Sequence, residues 1–157
     1  MQLPDLTLTA AGSEKEFNLA TLGAPAVIVC HGQHTAKAAL EVNRTVRREH
    51  PDPQALVVAS VIDLRQFPSM FRGMVKPELE KAYHQAAGDL PEGADPADLV
   101  ILLPDWDGSV TDTLGAQGST EQAVVLVADA AGNVLGTRQG DDLGAAALEL
   151  LAAGGGS

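Results

Sequence analysis

Four short apolar runs, each bounded by turn-forming residues, constrain this chain more than any other feature. Ala26-Val27-Ile28-Val29-Cys30 follows Pro25. Leu56-Val57-Val58-Ala59-Ser60-Val61-Ile62 follows His50-Pro51-Asp52-Pro53. Leu99–Leu103 is closed by Pro104-Asp105-Trp106-Asp107-Gly108, and Ala123–Ala128 by Asp129-Ala130-Ala131-Gly132-Asn133. Runs that are apolar on both sides suit strands covered on both faces of a sheet. Between the first two, Thr35, Ala39, Val42 and Val46 recur at helical spacing, which predicts a helix over 35–49. Strands separated by helices need crossovers, so part of the sheet is expected to be parallel.

The remaining elements follow from local pattern. Leu6–Thr9 and Glu16–Leu19 alternate around Ala11-Gly12-Ser13, which reads as a hairpin or two edge strands. Phe67, Met70, Phe71 and Met74 stand at i, i+3, i+4 and i+7, a one-sided stripe expected in the core, with an adaptable apolar pocket or a partner surface as the alternative. Pro77 suits the first turn of a helix that would turn Leu79, Ala82, Tyr83 and Ala86 inward and end near Gly88. Residues 88–98 read as a loop and Val110–Ala116 as a short helix. Val134–Thr137 returns as an antiparallel edge after the Asp129–Asn133 turn. Asp141 or Asp142 is expected to cap a last helix containing Leu143, Ala147, Leu150 and Leu151. A single domain over 1–152 is expected, with 153–157 as a flexible tail.

Charge excludes some partners. Residues 1–85 carry nine basic and nine acidic side chains, whereas 86–157 carry Arg138 alone against twelve acidic ones. The whole net charge of −11 therefore sits in the second half. Such a surface repels a duplex or an anionic membrane, so no nucleic acid and no membrane partner is expected. No apolar run approaches the length of a membrane helix, and Met1-Gln2-Leu3-Pro4-Asp5 lacks the features of a secretory signal, so a cytoplasmic location is expected.

Three local patterns, in order, carry a family resemblance. Leu3-Pro4-Asp5-Leu6-Thr7-Leu8 is similar to an opening Pro-Asp-Phe-x-Leu. Gly23-Ala24-Pro25-Ala26-Val27-Ile28-Val29 is similar to Gly-Lys-Pro-Val-Val-Leu, and Val125–Val134 to Thr-Phe-Leu-Ile-Asp-x-x-Gly-x-Val. Over residues 3–152 the chain resembles the thioredoxin-like superfamily, in its peroxiredoxin and thiol-reductase branch. The resemblance implies an α/β three-layer fold. Its central mixed sheet would have strand order 3-2-1-4-5, counted from Ala26, with an N-terminal β-hairpin and flanking helices. It also implies a Cys-x-x-Cys or Thr-x-x-Cys where the first long helix begins. Here that stretch is His34-Thr35-Ala36-Lys37-Ala38, without cysteine. The family's cis-proline position is held by about Gln122-Ala123, and its arginine near that strand is missing. Thiol–disulfide exchange needs a thiolate at an accessible helix N-terminus, so the usual redox chemistry is expected to be absent.

Candidate chemistry gathers at the strand ends. Cys30, the sole thiol, is expected to be a small buried hydrophobe, or else a displaced peroxidatic thiol. His31 and His34 frame the loop before the helix and could act as an acid–base pair or share a metal, given a third ligand. Thr35 suits the helix cap. Parallel strands lie about 4.8 Å apart, so the ends of three neighbours fit within about 10 Å. His31, His34, Asp63, Arg65 and Asp105 are therefore expected to converge, with Trp106 beside them, in the kind of crevice where such sheets bind ligands. Asp105-x-Asp107-Gly108 does not match a calcium loop. Arg65, Arg72 and Lys76 could attract an anion or the acidic half of another copy, making a homo-oligomer an expectation too. The leading expectation is a ligand- or partner-binding, regulatory module using the His31–Thr35 crevice for a small molecule or a protein. The alternatives are a one-cysteine peroxidase on Cys30 and a histidine-centred metal or acid–base site. No cofactor is expected.

Overall fold

A computed structural model describes residues 1–155. Strand β3 (Ala26–His31) is buried at every residue and forms the middle of a five-stranded sheet. It pairs in parallel with β4 (Val57–Asp63) and antiparallel with β6 (Val124–Ala128). The edges are β5 (Leu102–Asp105), parallel to β4, and β7 (Val134–Gln139), antiparallel to β6. The order β5-β4-β3-β6-β7 is the expected 3-2-1-4-5, and the fold is thioredoxin-like. A separate hairpin pairs β1 (Thr7–Thr9) with β2 (Glu16–Asn18).

Side-chain alternation along β3 divides the core in two. Val27 and Val29 face Ala39, Val42 and Val46 of α1 (Ala36–Glu49) and Leu143, Ala147 and Leu150 of α5 (Leu143–Gly155). Ala26, Ile28 and Cys30 face the opposite way. There they meet Leu3, Ala10 and Leu19 of the N-terminal segment, and Val110 and Leu114 in and just beyond α4 (Ser109–Thr113). Each layer is dominated by small and branched aliphatic side chains, so both faces of the sheet are stabilised by apolar burial.

Four expectations are corrected. The third strand starts at Leu102, because Asp95 accepts the Ala97 N–H and Pro96 opens a short helix, α3 (Pro96–Leu99). Asp-Pro is a helix-start signal, and it takes Leu99 out of the strand. Pro77 lies within α2 (Arg72–Gly88) rather than at its first turn. The helix instead begins from a 3-10 turn at Ser69–Phe71. The Phe67/Met70/Phe71/Met74 stripe is not core: Phe67 is half-buried, and Met70, Phe71 and Met74 are 80%, 42% and 70% exposed. Of Leu79, Ala82, Tyr83 and Ala86, only Tyr83 is buried.

The last helix is assigned through Gly155, so it takes in three residues of the expected tail; residues 156–157 lie outside the described residues. Asp142, just before it, has a left-handed backbone (φ 54°), and its carbonyl accepts the Ala146 N–H. Among the described residues, no helix is long and apolar enough to cross a membrane.

Tyr83 anchors α2 against the hairpin turn, where Gly12 adopts φ +83°. A Cβ at Gly12 would lie 2.2 Å from Tyr83 Cδ1. Gly12→Ala is therefore expected to combine a positive-φ penalty with a clash, lowering stability by about 2–3 kcal/mol in urea unfolding. A loss below about 0.5 kcal/mol would show that this contact does not hold α2 in place.

Candidate functional site

The strand register divides the candidate residues by face. His31 lies opposite Ile62, and Asp63 opposite Asp105. Asp63 follows Val61 by two residues and Asp105 follows Leu103 by two, so both carboxylates share the face of Cys30. His31, one residue past Cys30, lies on the other face. The expected convergence of His31, His34, Asp63, Arg65 and Asp105 therefore separates into two groups.

The carboxylate group is built around Arg65. Its Nε donates to both Asp63 carboxylate oxygens at 3.0 Å, and its backbone N–H donates to Asp63 Oδ1 at 3.1 Å. Its two terminal nitrogens donate to Asp112 at 2.7 and 3.0 Å, and one also reaches the Gly108 carbonyl at 3.0 Å. This is a bidentate, charge-assisted pair extended by a second carboxylate. The bonds from Asp112 and Asp63 raise the Arg65 pKa further, and Arg65 holds the Asp112 carboxyl below its usual range. Asp105, 1% exposed, accepts the Thr111 hydroxyl at 2.8 Å and the Thr111 and Val110 N–H groups at 2.7 and 3.3 Å. It thus fixes the first turn of α4. Trp106 is half-buried beneath the Arg72 guanidinium, whose carbon lies 5.4 Å from the ring centroid.

Cys30 is fully buried, and its pKa is pushed up to about 12. Desolvation is the main cause, and the Asp105 and Asp63 charges add to it. A thiol in that state has essentially no thiolate at neutral pH.

The histidine group belongs to the loop before α1. His31 is buried, and its Nδ1 is 2.8 Å from the Gly32 carbonyl. A carbonyl only accepts, so Nδ1 carries the hydrogen and Nε2 carries the lone pair. His34 is exposed in a 3-10 turn at Gln33–Thr35. Thr35 makes no hydroxyl bond to the first turn of α1. Instead its Oγ1 accepts the Gly32 N–H at 2.8 Å and donates to the Ser119 carbonyl at 2.7 Å. The hydroxyl thus latches this loop to the Gly118–Gln122 segment that precedes β6. The two chains come so close that a Cβ at Gly32 would lie 2.6 Å from Thr120 Cγ2. Sequence reasoning missed Ser119 and Thr120. Their only signal was the position before β6, where the expected proline is absent.

Among the described residues, no three His, Cys, Asp or Glu side chains are grouped so that they could hold a metal ion. The proposed pairing of His31 and His34 therefore has no third ligand.

An open cleft of about 230 Å³ lies between the two groups, lined by Asp63, Arg65, Gln66, Asp112, Gln117, Gly118 and Thr120. It joins the β4 end to the segment held by Thr35. A larger groove, about 400 Å³, lies beside Val57 at the other end of β4, between Lys15, Phe17 and Thr21. Two of its polar side chains are already engaged: Asn18 bonds Asp5, Thr7 and Ala20, and Lys15 pairs with Asp98. In the strand-end cleft, the Gln66 and Thr120 side chains keep their hydrogen-bonding groups for a ligand.

Neither a scan of protein-family models nor a search of curated proteins finds a match. Solved structures do match. The exposed lipoprotein thioredoxin of Streptococcus pneumoniae superposes with a TM-score of 0.64 at 18% identity, covering 96% of this chain and 99% of that one. StoA from Bacillus subtilis superposes at 0.61 with 11% identity, covering 94% and 98%. A secreted disulfide oxidoreductase of Mycobacterium tuberculosis superposes at 0.58 with 14% identity, covering 94% and 96%. These likenesses establish a thioredoxin-like fold whose solved neighbours are redox proteins, carried here by a chain with one cysteine and no Cys-x-x-Cys.

Two outcomes are expected. Thr35→Val leaves the Gly32 N–H and the Ser119 carbonyl unpaired, costing about 1–3 kcal/mol and accelerating hydrogen exchange at Gly32. Unchanged exchange there would rule out the latch. Burial lowers the His31 pKa below 6.5, opposed by its bond to Gly32. Below that pH the unfolded chain takes up a proton that the folded protein refuses. Stability is therefore full above pH 6.5 and falls as pH drops through it. Urea midpoints of the wild type should decline from pH 6.5 downward, before the carboxylates titrate, and His31→Gln should flatten that decline.

Proposed function

We propose that this chain is a binding module, with a regulatory role, in which the thioredoxin-like fold serves recognition rather than thiol–disulfide exchange. Its contact surface is the strand-end crevice formed by the His31–Thr35 loop, the Gly118–Thr120 segment and the cleft beside Arg65. The observation that carries this reading is the disposition of sulfur at the crevice. The start of α1 offers Thr35 and Ala38 where a redox member needs cysteine, and the only thiol lies behind the strand with no access to solvent. The crevice keeps the features that recognition needs. It sits at the carboxyl ends of parallel strands, and its walls are held by the Thr35 latch and the Asp63–Arg65–Asp112 clamp. Rigid walls lower the entropy lost on binding.

The ligand fitting this cleft is small and polar, or the polar edge of a protein. Two amide side chains and one hydroxyl line it beside a carboxylate–guanidinium network. Arg65 acts here as a wall, because Asp63, Asp112 and Gly108 already hold its guanidinium.

Two measurements test the proposal. The wild type should show no catalysis of insulin reduction by dithiothreitol above the uncatalysed rate, and measurable catalysis would contradict it. In a fragment screen read by amide chemical shifts, hits should cluster at Asp63–Gln66 and Gly118–Thr120 and be lost in Thr120→Arg. Hits confined to the groove beside Val57 would move the binding site to the other end of the sheet.

A further inference from the structure

We propose that the thioethers of Met70 and Met74 form a peroxide-reactive, reversible oxidation site at the start of α2. The chain holds four sulfur atoms, in Cys30 and three methionines. Cys30 is fully buried, whereas Met70 is 80% and Met74 70% exposed. The two methionines are four residues apart, a spacing that puts their side chains on one side of a helical turn. Gly73 lies between them, and nothing beyond its own helix and chain neighbours stands within 4 Å of the place its Cβ would take. The pair is exposed because α2 turns only Tyr83 into the core across seventeen residues. From Arg65 to Pro77 the chain carries Arg65, Arg72 and Lys76 and no carboxylate.

The chemistry is a two-electron oxygen transfer. A thioether lone pair attacks one peroxide oxygen, forming the S–O bond as the O–O bond breaks. The other oxygen leaves as water once it has taken up a proton. Sulfur is oxidised to the sulfoxide and peroxide is reduced. A methionine sulfoxide reductase using a dithiol reverses the step: the dithiol becomes a disulfide, and the oxygen leaves as water. Both side chains already stand in water, so the sulfoxides change the polarity of the surface without disturbing the core. The site thus switches an apolar face to a polar one on the segment that leads out of the Asp63–Arg65 clamp.

The test is peptide mapping of native protein exposed to hydrogen peroxide, with Met1, 64% exposed, as internal reference. Oxygen is expected on Met70 and Met74 at least as fast as on Met1. Urea should change the rate at the pair by less than about twofold. Cys30 should react only in urea, and a reductase with dithiothreitol should restore the mass. The Met70→Leu/Met74→Leu variant should fold normally and take up oxygen at Met1 alone. The proposal is overturned by oxygen on Cys30 in the native protein, by failure of the reductase to restore the mass, or by a pair much slower than Met1. The last result would mark a face covered by a second copy.

Discussion

Burial of β3 on both faces and both edges is the constraint on which the rest depends. Six consecutive residues have no exposed side, so each neighbouring element is placed by the need to cover them or to satisfy their backbone. Parallel pairing to β4 requires a crossover, and α1 supplies it with Ala39, Val42 and Val46 facing Val27 and Val29. Antiparallel pairing to β6 brings the Gly118–Gln122 segment alongside the loop that leaves β3. The crevice is therefore a consequence of the core. It lies where the buried strand ends and its backbone must find partners outside the sheet.

The polar residues at that edge serve two purposes, and charge separates them. Asp63 and Asp105 are the carboxylates withdrawn from water at the strand ends, and they and the exposed Arg65 are each matched to fixed partners. A buried carboxylate without such partners would be strongly destabilising, so these bonds are a condition of having charges there at all. They also set the electrostatics of Cys30, whose thiolate is opposed by the lost hydration and by two nearby carboxylates. The same architecture that makes the crevice rigid keeps the thiol inert.

Sheet topology and the division of the core were legible in the sequence, because apolar runs and helical spacing report burial directly. The strand ends were legible as positions but not as partners. Strand neighbourhood brought Asp63 and Asp105 together correctly, but the alternation of side chains sent His31 to the other face. Thr35 was expected at a cap because threonine caps helices. Its hydroxyl went to Ser119, eighty-four residues away, a tertiary bond that no local pattern encodes. The Met70–Met74 stripe shows the opposite failure. Its periodicity matched a buried helix face, yet periodicity reports a helix and not what covers it. Here the N-terminal hairpin and α4 already occupy the adjoining face of the sheet.

The central claim is that the crevice works without a thiolate. The most direct measurement is the ultraviolet absorbance of the Cys30 thiolate, followed against pH in the native protein, with Cys30→Ser as the blank. The account predicts no thiolate signal through the neutral range, with ionisation only near a pKa of about 12 or on unfolding. A thiolate forming at or below neutral pH in the folded protein would contradict it and return the site to redox chemistry.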